Sequence, residues 1–275
     1  MSNEPKGAMH FEGRKSIGAM EAAENQRRRD EKHYQTVNKK PLHWYDITRA
    51  HLNFEVAKGG IIQKIGTSKP VEERFKERLE ELGVKPNPEV KKNDPAASKM
   101  SNQIVEFVFS GDHEVMNMMA FGNQAVDFER DGTADNRHIQ RMNEIEQWAT
   151  DLYGWMAKKY GEENIIGFDV HLDETTAHCH ATIIPVVMRT EKKTGRERPV
   201  VSYKGLFGKD KATGQEIMKE LHTELYEQVN SKYGLMRGDP VEISGAQHKD
   251  KVQMYYQLKR ELPELENRAI ELRIF

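Results

Sequence analysis

Three histidines and two carboxylates lie within one ten-residue stretch of the chain, at His171, Asp173, Glu174, His178 and His180. Neutral imidazoles are common ligands of divalent transition metals, and three of them can occupy one side of an ion while its other positions stay open to substrate. An open ligand set of this kind is typical of a catalytic metal site. The residue types therefore predict a metal centre that performs chemistry.

The residues on either side of this stretch predict the elements that position it. Segments 165–171 and 181–187 are rich in β-branched residues and have the length of strands, so we expect an antiparallel hairpin. Residues two apart on a strand point to the same face, which brings His178 and His180 together. His171 ends the first strand and can meet them across the pair.

Three segments resemble one family. The run from His171 to His180, between two apolar strands, resembles the metal motif of the plasmid mobilisation relaxases of the Pre/Mob (MobV) family, which are relatives of the HUH endonucleases. Residues 46–55 are similar to that family's Ser-Arg-Ser-His-Leu-Asn-Tyr-Glu segment. Residues 24–27, Glu-Asn-Gln-Arg, stand where the family usually has His-Asn-x-Arg. Order and spacing agree from about residue 18 to about residue 240.

The resemblance implies a function. His171, His178 and His180 would hold a divalent cation, Mn²⁺ or Mg²⁺, that grips the scissile phosphate of DNA. A side chain would attack the phosphorus and leave a covalent protein–DNA link. We therefore expect a site- and strand-specific nicking-joining relaxase that acts on single-stranded or supercoiled DNA at a plasmid or mobile-element origin of transfer.

The chain departs from the family at the nucleophile. The resemblance places the attacking histidine at position 24, which is Glu24 here. A carboxylate would form an acyl phosphate, a less secure tether than a phosphoramidate or a tyrosyl ester. Three alternatives are open: His33 or Tyr34 attacks, Glu24 attacks, or another hydroxyl such as that of Tyr45 does. We favour the His33–Tyr34 pair, and expect Glu174 to orient or deprotonate the nucleophile or to contact the histidines.

The charge distribution indicates a nucleic-acid partner, although the formal net charge of −2 does not. Residues 14–49 contain nine Lys or Arg against five acids, and residues 189–211 contain eight against three, which leaves −11 on the rest of the chain. Such segregation favours a basic groove on an acidic body. The candidate DNA contacts are Arg27, Arg28, Arg49, Asn53, Lys192, Lys193 and Arg196.

Hydrophobic periodicity and turn residues predict the remaining elements. They are a polar helix at about 18–36, helices at 70–82, 135–160, 214–233 and 248–275, and strands at 104–109 and 200–203, whereas residues 1–13 are expected to be loosely ordered. This order predicts an α+β fold, with a central antiparallel sheet that carries the histidines and is flanked by helices. Residues 1–245 would form the relaxase domain, and 246–275 the start of a helical extension through which a homodimer is an option.

The single cysteine, Cys179, excludes an internal disulfide framework and fits a reducing compartment. Its strand position places it on the face opposite the histidines, as a small core residue. No segment approaches the roughly 18 apolar residues of a membrane span, and the N-terminus lacks the apolar core of a signal peptide. We therefore expect a soluble cytoplasmic protein.

Two other classes of protein are open alternatives. His171-x-Asp173 is also the first half of a two-histidine-one-carboxylate iron site, which would make the chain an oxygenase with a distant third ligand such as His222 or His248. That scheme gives His178 and His180 no role. The second alternative is a non-catalytic DNA-binding replication or partition factor that has the same fold but lacks a nucleophile.

Overall fold

A six-stranded antiparallel sheet forms the centre of the computed structural model, which describes residues 4–39, 44–88, 95, 99–129 and 133–239. In spatial order its strands are β1 (Gly7–Arg14), β4 (Ile104–Gly111), β6 (His178–Ile183), β5 (Ile165–His171), β2 (Phe54–Ala57) and β3 (Ile61–Lys64). After β6 the chain forms a separate two-stranded ribbon of β7 (Val186–Thr190) and β8 (Glu197–Val201).

Helices lie between the strands in the sequence. They are α1 (Ala19–Asn25), α2 (Glu31–Val37), α3 (Val71–Glu81), α4 (His113–Phe121), α5 (Asn143–Tyr160), α6 (Tyr203–Phe207) and α7 (Lys211–Gln228). Short 3-10 turns occur at Ala50–Leu52, Glu162–Asn164 and Asn230–Tyr233. None of the helices in the described ranges is both long and apolar enough to cross a membrane.

The two faces of the sheet differ in chemistry. Phe168, Ala181 and Phe107 lie opposite one another on three neighbouring strands and pack into the main core, which includes Trp148 and Leu152 of α5. Alternate strand residues must point the other way. The apolar rows therefore anchor the sheet to its helices and leave the opposite face for other groups.

The opposite face is partly polar. Asp169 lies opposite His180 in the pairing of β5 with β6, and both point away from the main core. A smaller apolar cluster covers part of this face, where Val71 and Phe75 of α3 meet Ile166. The predicted fold class is confirmed, and the predicted hairpin is β5 and β6.

The N-terminal prediction is wrong, because residues 7–14 form β1 instead of a loose segment. Met9 and Phe11 alternate with the exposed His10 and Glu12, so one side of the strand is buried and the other is not. The glycines and the short apolar run conceal this alternation in the sequence. The gain in burial against β4 decides the conformation.

The polar helix predicted at 18–36 is two helices. Arg27 has a positive φ of 50°, which is incompatible with a continuous right-handed helix. Asp30 then starts α2 as its N-cap, since its side chain accepts a hydrogen bond from the backbone N–H of His33 at 2.8 Å.

The other boundaries shift for tertiary reasons. The helix predicted at 135–160 starts only at Asn143, because Asn136 donates to the Asp46 side chain and to the backbone carbonyl of Asp127, both at 2.7 Å, and so holds the preceding segment in a loop. Residues 70–82, 104–109, 200–203 and 214–233 correspond to α3, β4, β8 and α7 with the following 3-10 turn. The helix predicted at 248–275 and the domain boundary after residue 245 lie outside the described residues.

Candidate metal centre

The three histidines of the sequence motif meet at one end of the sheet. His171 ends β5 and lies directly opposite His178, which begins β6, while His180 follows two residues later on the same face. One nitrogen from each ring lies within 4.8 Å of the others. Nδ1 of His171 and Nε2 of His178 are 3.3 Å apart. The hairpin thus produces a compact cluster of three imidazoles.

Backbone carbonyls fix the orientation of two of these rings. Nε2 of His171 lies 2.7 Å from the carbonyl oxygen of Asn25, and Nδ1 of His178 lies 2.8 Å from that of Thr176. A carbonyl only accepts, so each of these nitrogens must carry the proton and the other nitrogen of each ring presents its lone pair to the cluster. Burial, reinforced by Arg27 and the neighbouring histidines, holds the pKa of His171 well below its usual value. Neutral imidazoles arranged in this way fit a divalent transition metal.

The loop between the two strands brings carboxylates and one arginine to the cluster. Nε and Nη2 of Arg27 bind the two carboxylate oxygens of Asp173 at 2.9 and 2.7 Å, and Nη2 also lies 2.9 Å from Oε1 of Glu174. That oxygen is 3.5 Å from Nε2 of His178 and 3.7 Å from Nδ1 of His171. Burial by itself would lower the pKa of Arg27, but the two carboxylates raise it. Glu174 therefore lies beside the nitrogens that face the metal position.

Arg49 and Asn53 form hydrogen bonds with the backbone of the loop between β5 and β6. The Arg49 side chain is 1% exposed and donates to the Asp46 carboxylate at 2.8 Å and to the carbonyl oxygens of Leu172 at 2.8 Å and Glu174 at 3.1 Å. Asn53 accepts from the backbone N–H of Leu172 at 2.7 Å. The Arg49 guanidinium and the Asn53 side-chain oxygen are therefore committed to the loop, whereas Nδ2 of Asn53 has no partner among the described residues, and the DNA contacts predicted for both residues stay predictions. Their geometry is that of positioning residues.

Glu24 and Tyr45 also contact the residues around the histidine cluster, through Arg27. The hydroxyl of Tyr45 donates to the Glu24 carboxylate, and Nη1 of Arg27 donates to the Glu24 carbonyl at 3.0 Å. The Arg27 guanidinium lies 4.6 Å from the centroid of the Tyr45 ring. Burial and the bond to Glu24 raise the pKa of Tyr45. Position 24 directly precedes Asn25, whose carbonyl orients His171.

His33 and Tyr34 lie on α2, beyond the break at Arg27. The Tyr34 hydroxyl and Nε2 of His33 are both shielded from solvent, and the Tyr34 ring lies edge-on to the ring of Tyr45, with the two centroids 5.1 Å apart. Burial raises the pKa of Tyr34.

The four other predicted DNA contacts are exposed and lie in two separate places. Arg28 is exposed and donates to the carbonyl of Ser68. The turn between β7 and β8 carries Lys192, Lys193 and Arg196, all exposed. The ribbon begins after the end of β6 that is remote from His178. The basic ribbon tip therefore is not part of the histidine cluster.

Asp169 was missed in the sequence reading. Its side chain is 2% exposed, it lies opposite His180 in the strand pairing, and its Oδ1 has no partner among the described residues. Burial and Glu55 raise its pKa to about 7, against the opposing effect of Arg74 and other arginines. The sequence feature that could have identified it is the acid in the otherwise apolar strand β5, two residues before His171.

The iron-oxygenase alternative does not fit the described residues. Both oxygens of Asp173 are engaged by Arg27, and the cluster is completed by His178 and His180 instead of a distant histidine. His222 lies on α7 outside this cluster, and His248 lies outside the described residues.

Comparisons with known proteins point to one family. Residues 132–257 match the family Mob_Pre, described as plasmid recombination enzyme. Plasmid recombination enzyme type 1 of Staphylococcus aureus is 30% identical over 107 residues, which are 38% of this chain and 23% of that protein. The match thus spans about a quarter of the length of this relative.

Solved structures show the same fold. The Mn-bound MobM relaxase domain (MOBV; Mob_Pre) in complex with oriT DNA of plasmid pMV158 is 19% identical, with a TM-score of 0.57, and the match covers 92% of this chain and 99% of that one. A second Mn-bound complex, at pH 5.5, is 20% identical with a TM-score of 0.56 and the same coverage. The resemblance found in the sequence is therefore confirmed: residues 132–257 are similar to the plasmid recombination (Pre/Mob) enzymes, and the chain has the fold of the MobM relaxase domain.

Proposed function

We propose that this protein is a metal-dependent relaxase, which nicks and rejoins one strand of DNA at a plasmid or mobile-element origin of transfer through a covalent protein–DNA intermediate. The observation that carries the proposal is the three-histidine cluster with Glu174 and Arg27 beside it. The Mn-bound, oriT-bound state of the similarly folded MobM domain supports it. Such an enzyme would work in the cytoplasm, where its DNA substrate is.

His171, His178 and His180 would hold the cation, which we propose to be Mn²⁺ or Mg²⁺. When bound, the cation would neutralise the scissile phosphate and stabilise the leaving 3′-oxygen. The chain itself supplies the arrangement of the ligands. Asn25 and Thr176 hold the tautomers of two rings before any metal arrives, so little reorganisation is needed on binding.

Arg27 and Glu174 would act together next to the phosphate. Arg27 is committed to Asp173, which keeps its charge fixed at the edge of the site and orients Glu174. Glu174 is placed to accept a proton from a hydroxyl or imidazole nucleophile at the metal position. A carboxylate nucleophile would need no such base.

For the nucleophile, the geometry favours Glu24 over His33 and Tyr34. The prediction of that pair depends on one continuous helix, but α1 ends at Asn25, and Nε2 of His33 and the Tyr34 hydroxyl are shielded on α2. Glu24 adjoins the residue that orients His171, and Tyr45 holds its carboxylate. A carboxylate oxygen would attack the phosphorus, the 3′-oxygen would leave, and the acyl phosphate so formed would be reversed when the 3′-hydroxyl attacks again.

The nucleophile is testable by mapping the covalent link. Glu24→Gln, Tyr34→Phe and His33→Ala would be incubated with Mn²⁺ and a labelled origin oligonucleotide, and adducts would be resolved on denaturing gels. We expect Glu24→Gln alone to lose the adduct, and the wild-type adduct to be cleaved by neutral hydroxylamine, as an acyl phosphate is. An adduct that persists in Glu24→Gln, resists hydroxylamine and is absent in Tyr34→Phe would identify Tyr34 instead.

The activity itself is tested on DNA. Purified protein would be incubated with Mn²⁺ and supercoiled plasmid carrying the cognate origin, and we expect conversion to relaxed plasmid. Binding without relaxation would support the alternative, a non-catalytic replication or partition factor, which the replacement of the family's histidine by Glu24 favours. The predicted homodimer would be tested in the same preparation by light scattering.

A further inference from the structure

A second basic site lies at the end of the sheet remote from the histidines. A cleft of about 780 Å³ opens there between α6, the start of α7, the base of the β7–β8 ribbon and the segments that end β1 and precede β4. Its charged lining residues are Lys15, Arg189, Lys204, Lys209, Asp210 and Lys211. Basic residues thus outnumber acids by five to one in this lining.

The positive charge of the cleft is poorly compensated by the protein. Lys204, Lys209 and Lys211 are exposed, and none of them forms an ion pair with a carboxylate of the described ranges. The one acid, Asp210, is the N-cap of α7 and accepts from the backbone N–H and the hydroxyl of Thr213, both at 2.9 Å. Uncompensated lysines around a concave surface are suited to a polyanion.

An aromatic ring is fixed in the same cleft. Tyr203 stacks on Phe207 with ring centroids 5.2 Å apart and lies directly over Gly13 of β1. A Cβ at position 13 would stand 2.3 Å from Cε2 of Tyr203, so the glycine is what allows the ring to sit there. A basic groove with an aromatic platform is the combination that binds single-stranded nucleic acid.

The cleft lies within reach of the same DNA strand. Its floor residue Ser202 donates its backbone N–H to the carbonyl of Pro185 at 2.7 Å. Pro185 is five residue steps after His180, which is about 16 Å at 3.3 Å per step.

We propose that this cleft is a second DNA subsite, about 16 Å along the sheet from the histidine cluster, in which the phosphate backbone of the single strand contacts Lys204, Lys209 and Lys211 while a base stacks on Tyr203. The proposal deepens the proposed relaxase function and rests on it for the identity of the strand. It differs from the ribbon-tip contacts predicted from the sequence, because the cleft uses other residues of the same basic segment.

The test measures binding without catalysis. The triple variant Lys204→Ala/Lys209→Ala/Lys211→Ala would be compared with Lys64→Ala/Lys76→Ala/Lys158→Ala, which removes the same charge from exposed positions elsewhere. Binding of fluorescein-labelled (dT)20 in EDTA would be followed by anisotropy over a range of NaCl concentrations. Each phosphate contact on a single strand contributes about 0.7 to the salt slope, so the cleft variant should lose about 2 from its magnitude and the control should lose none.

A cross-link locates the strand directly. Illumination of a (dT)20 probe containing 5-iododeoxyuridine, bound to the wild-type protein, should yield a cross-linked peptide that contains Tyr203. An unchanged salt slope in the cleft variant, or cross-links confined to the ribbon tip, would overturn the proposal. Because the assay contains no metal, failure of the proposed function would show separately, as a wild-type protein that binds DNA here but never nicks an origin.

Discussion

At the residue scale, metal binding depends on which atoms of each side chain already form hydrogen bonds within the protein. His171 and His178 have each given one nitrogen to a backbone carbonyl, and Arg27 has given three donors to Asp173 and Glu174. The ligand set was predictable from residue types and spacing alone. The carbonyl of Asn25 was not, because it comes from a helix 146 residues away in the chain.

Replacing His178 or His180 with Ala should lower metal occupancy and abolish nicking while the fold persists, because each change removes one ligand of three. His138→Ala is a matched control, since that histidine is exposed and outside the cluster. Mn²⁺ binding would be measured by titration calorimetry and the fold by circular dichroism. Unchanged metal content in both variants would refute the ligand assignment.

Arg27→Ala should destabilise the protein by about 3–5 kcal/mol, because it leaves a buried carboxylate without its partner. The Arg27 and Asp173 side chains are only 7% and 3% exposed. The double variant Arg27→Ala/Asp173→Ala should be less destabilised, as no unpaired charge remains. Urea unfolding measures both, and equal losses in the two variants would show that the pair is not coupled in this way.

At the scale of elements, the strands and helices that can be predicted are those whose apolar residues alternate or recur at helical spacing. The β5–β6 hairpin and α3 follow from such patterns. The break between α1 and α2 does not, because the left-handed backbone of Arg27 is held by its contacts with Asp173 across the site. β1 escaped prediction because its partner β4 is distant in the chain, and burial against that partner decides its conformation.

Glu106 on β4 makes the stability of the sheet depend on pH. Burial, together with Glu21 and Glu12, raises its pKa to about 7 against the opposing effect of Arg14. Between pH 4.5, the pKa of an unperturbed Glu, and pH 7, Glu106 is more protonated in the folded protein than in the unfolded chain. The free energy of unfolding that this residue contributes is therefore fully present below pH 4.5 and is lost as the pH rises through 7.

Glu106→Gln should therefore reduce the fall in unfolding free energy between pH 5 and pH 8 by about 2–3 kcal/mol, the equivalent of about two pKa units. Urea unfolding at the two pH values, for wild type and variant side by side, isolates this residue from other groups that titrate. An identical fall in both proteins would show that Glu106 ionises normally.

At the scale of the whole molecule, the basic residues form two groups, one that supports the metal centre and one that is exposed for binding DNA. Acidic residues predominate over most of the chain, whereas residues 14–49 and 189–211 supply 17 Lys or Arg. The structure divides these further, since Arg27 and Arg49 bind the loop between β5 and β6, while Lys204, Lys209 and Lys211 of the cleft are exposed. Counting Lys and Arg in the sequence cannot distinguish the buried arginines from the exposed lysines, because the fold determines which side chains are buried.

DNA affinity should fall steeply with salt. If about six of these basic residues contact phosphates of a single strand, the slope of log affinity against log salt should be near −4. Anisotropy titrations of the wild-type protein from low to moderate NaCl would measure it. A flat response would mean that the basic segments face solvent and contact no phosphate.

The central claim is that the three-histidine centre binds a divalent metal and thereby cleaves DNA. The most direct measurement is the single-turnover cleavage rate of a labelled origin oligonucleotide as a function of Mn²⁺ concentration, for the wild type and for His180→Ala. We predict that the wild-type rate rises to saturation with Mn²⁺ and vanishes in EDTA, and that His180→Ala shows no cleavage at any concentration. Equal cleavage by His180→Ala, or cleavage by the wild type in EDTA, would contradict the account.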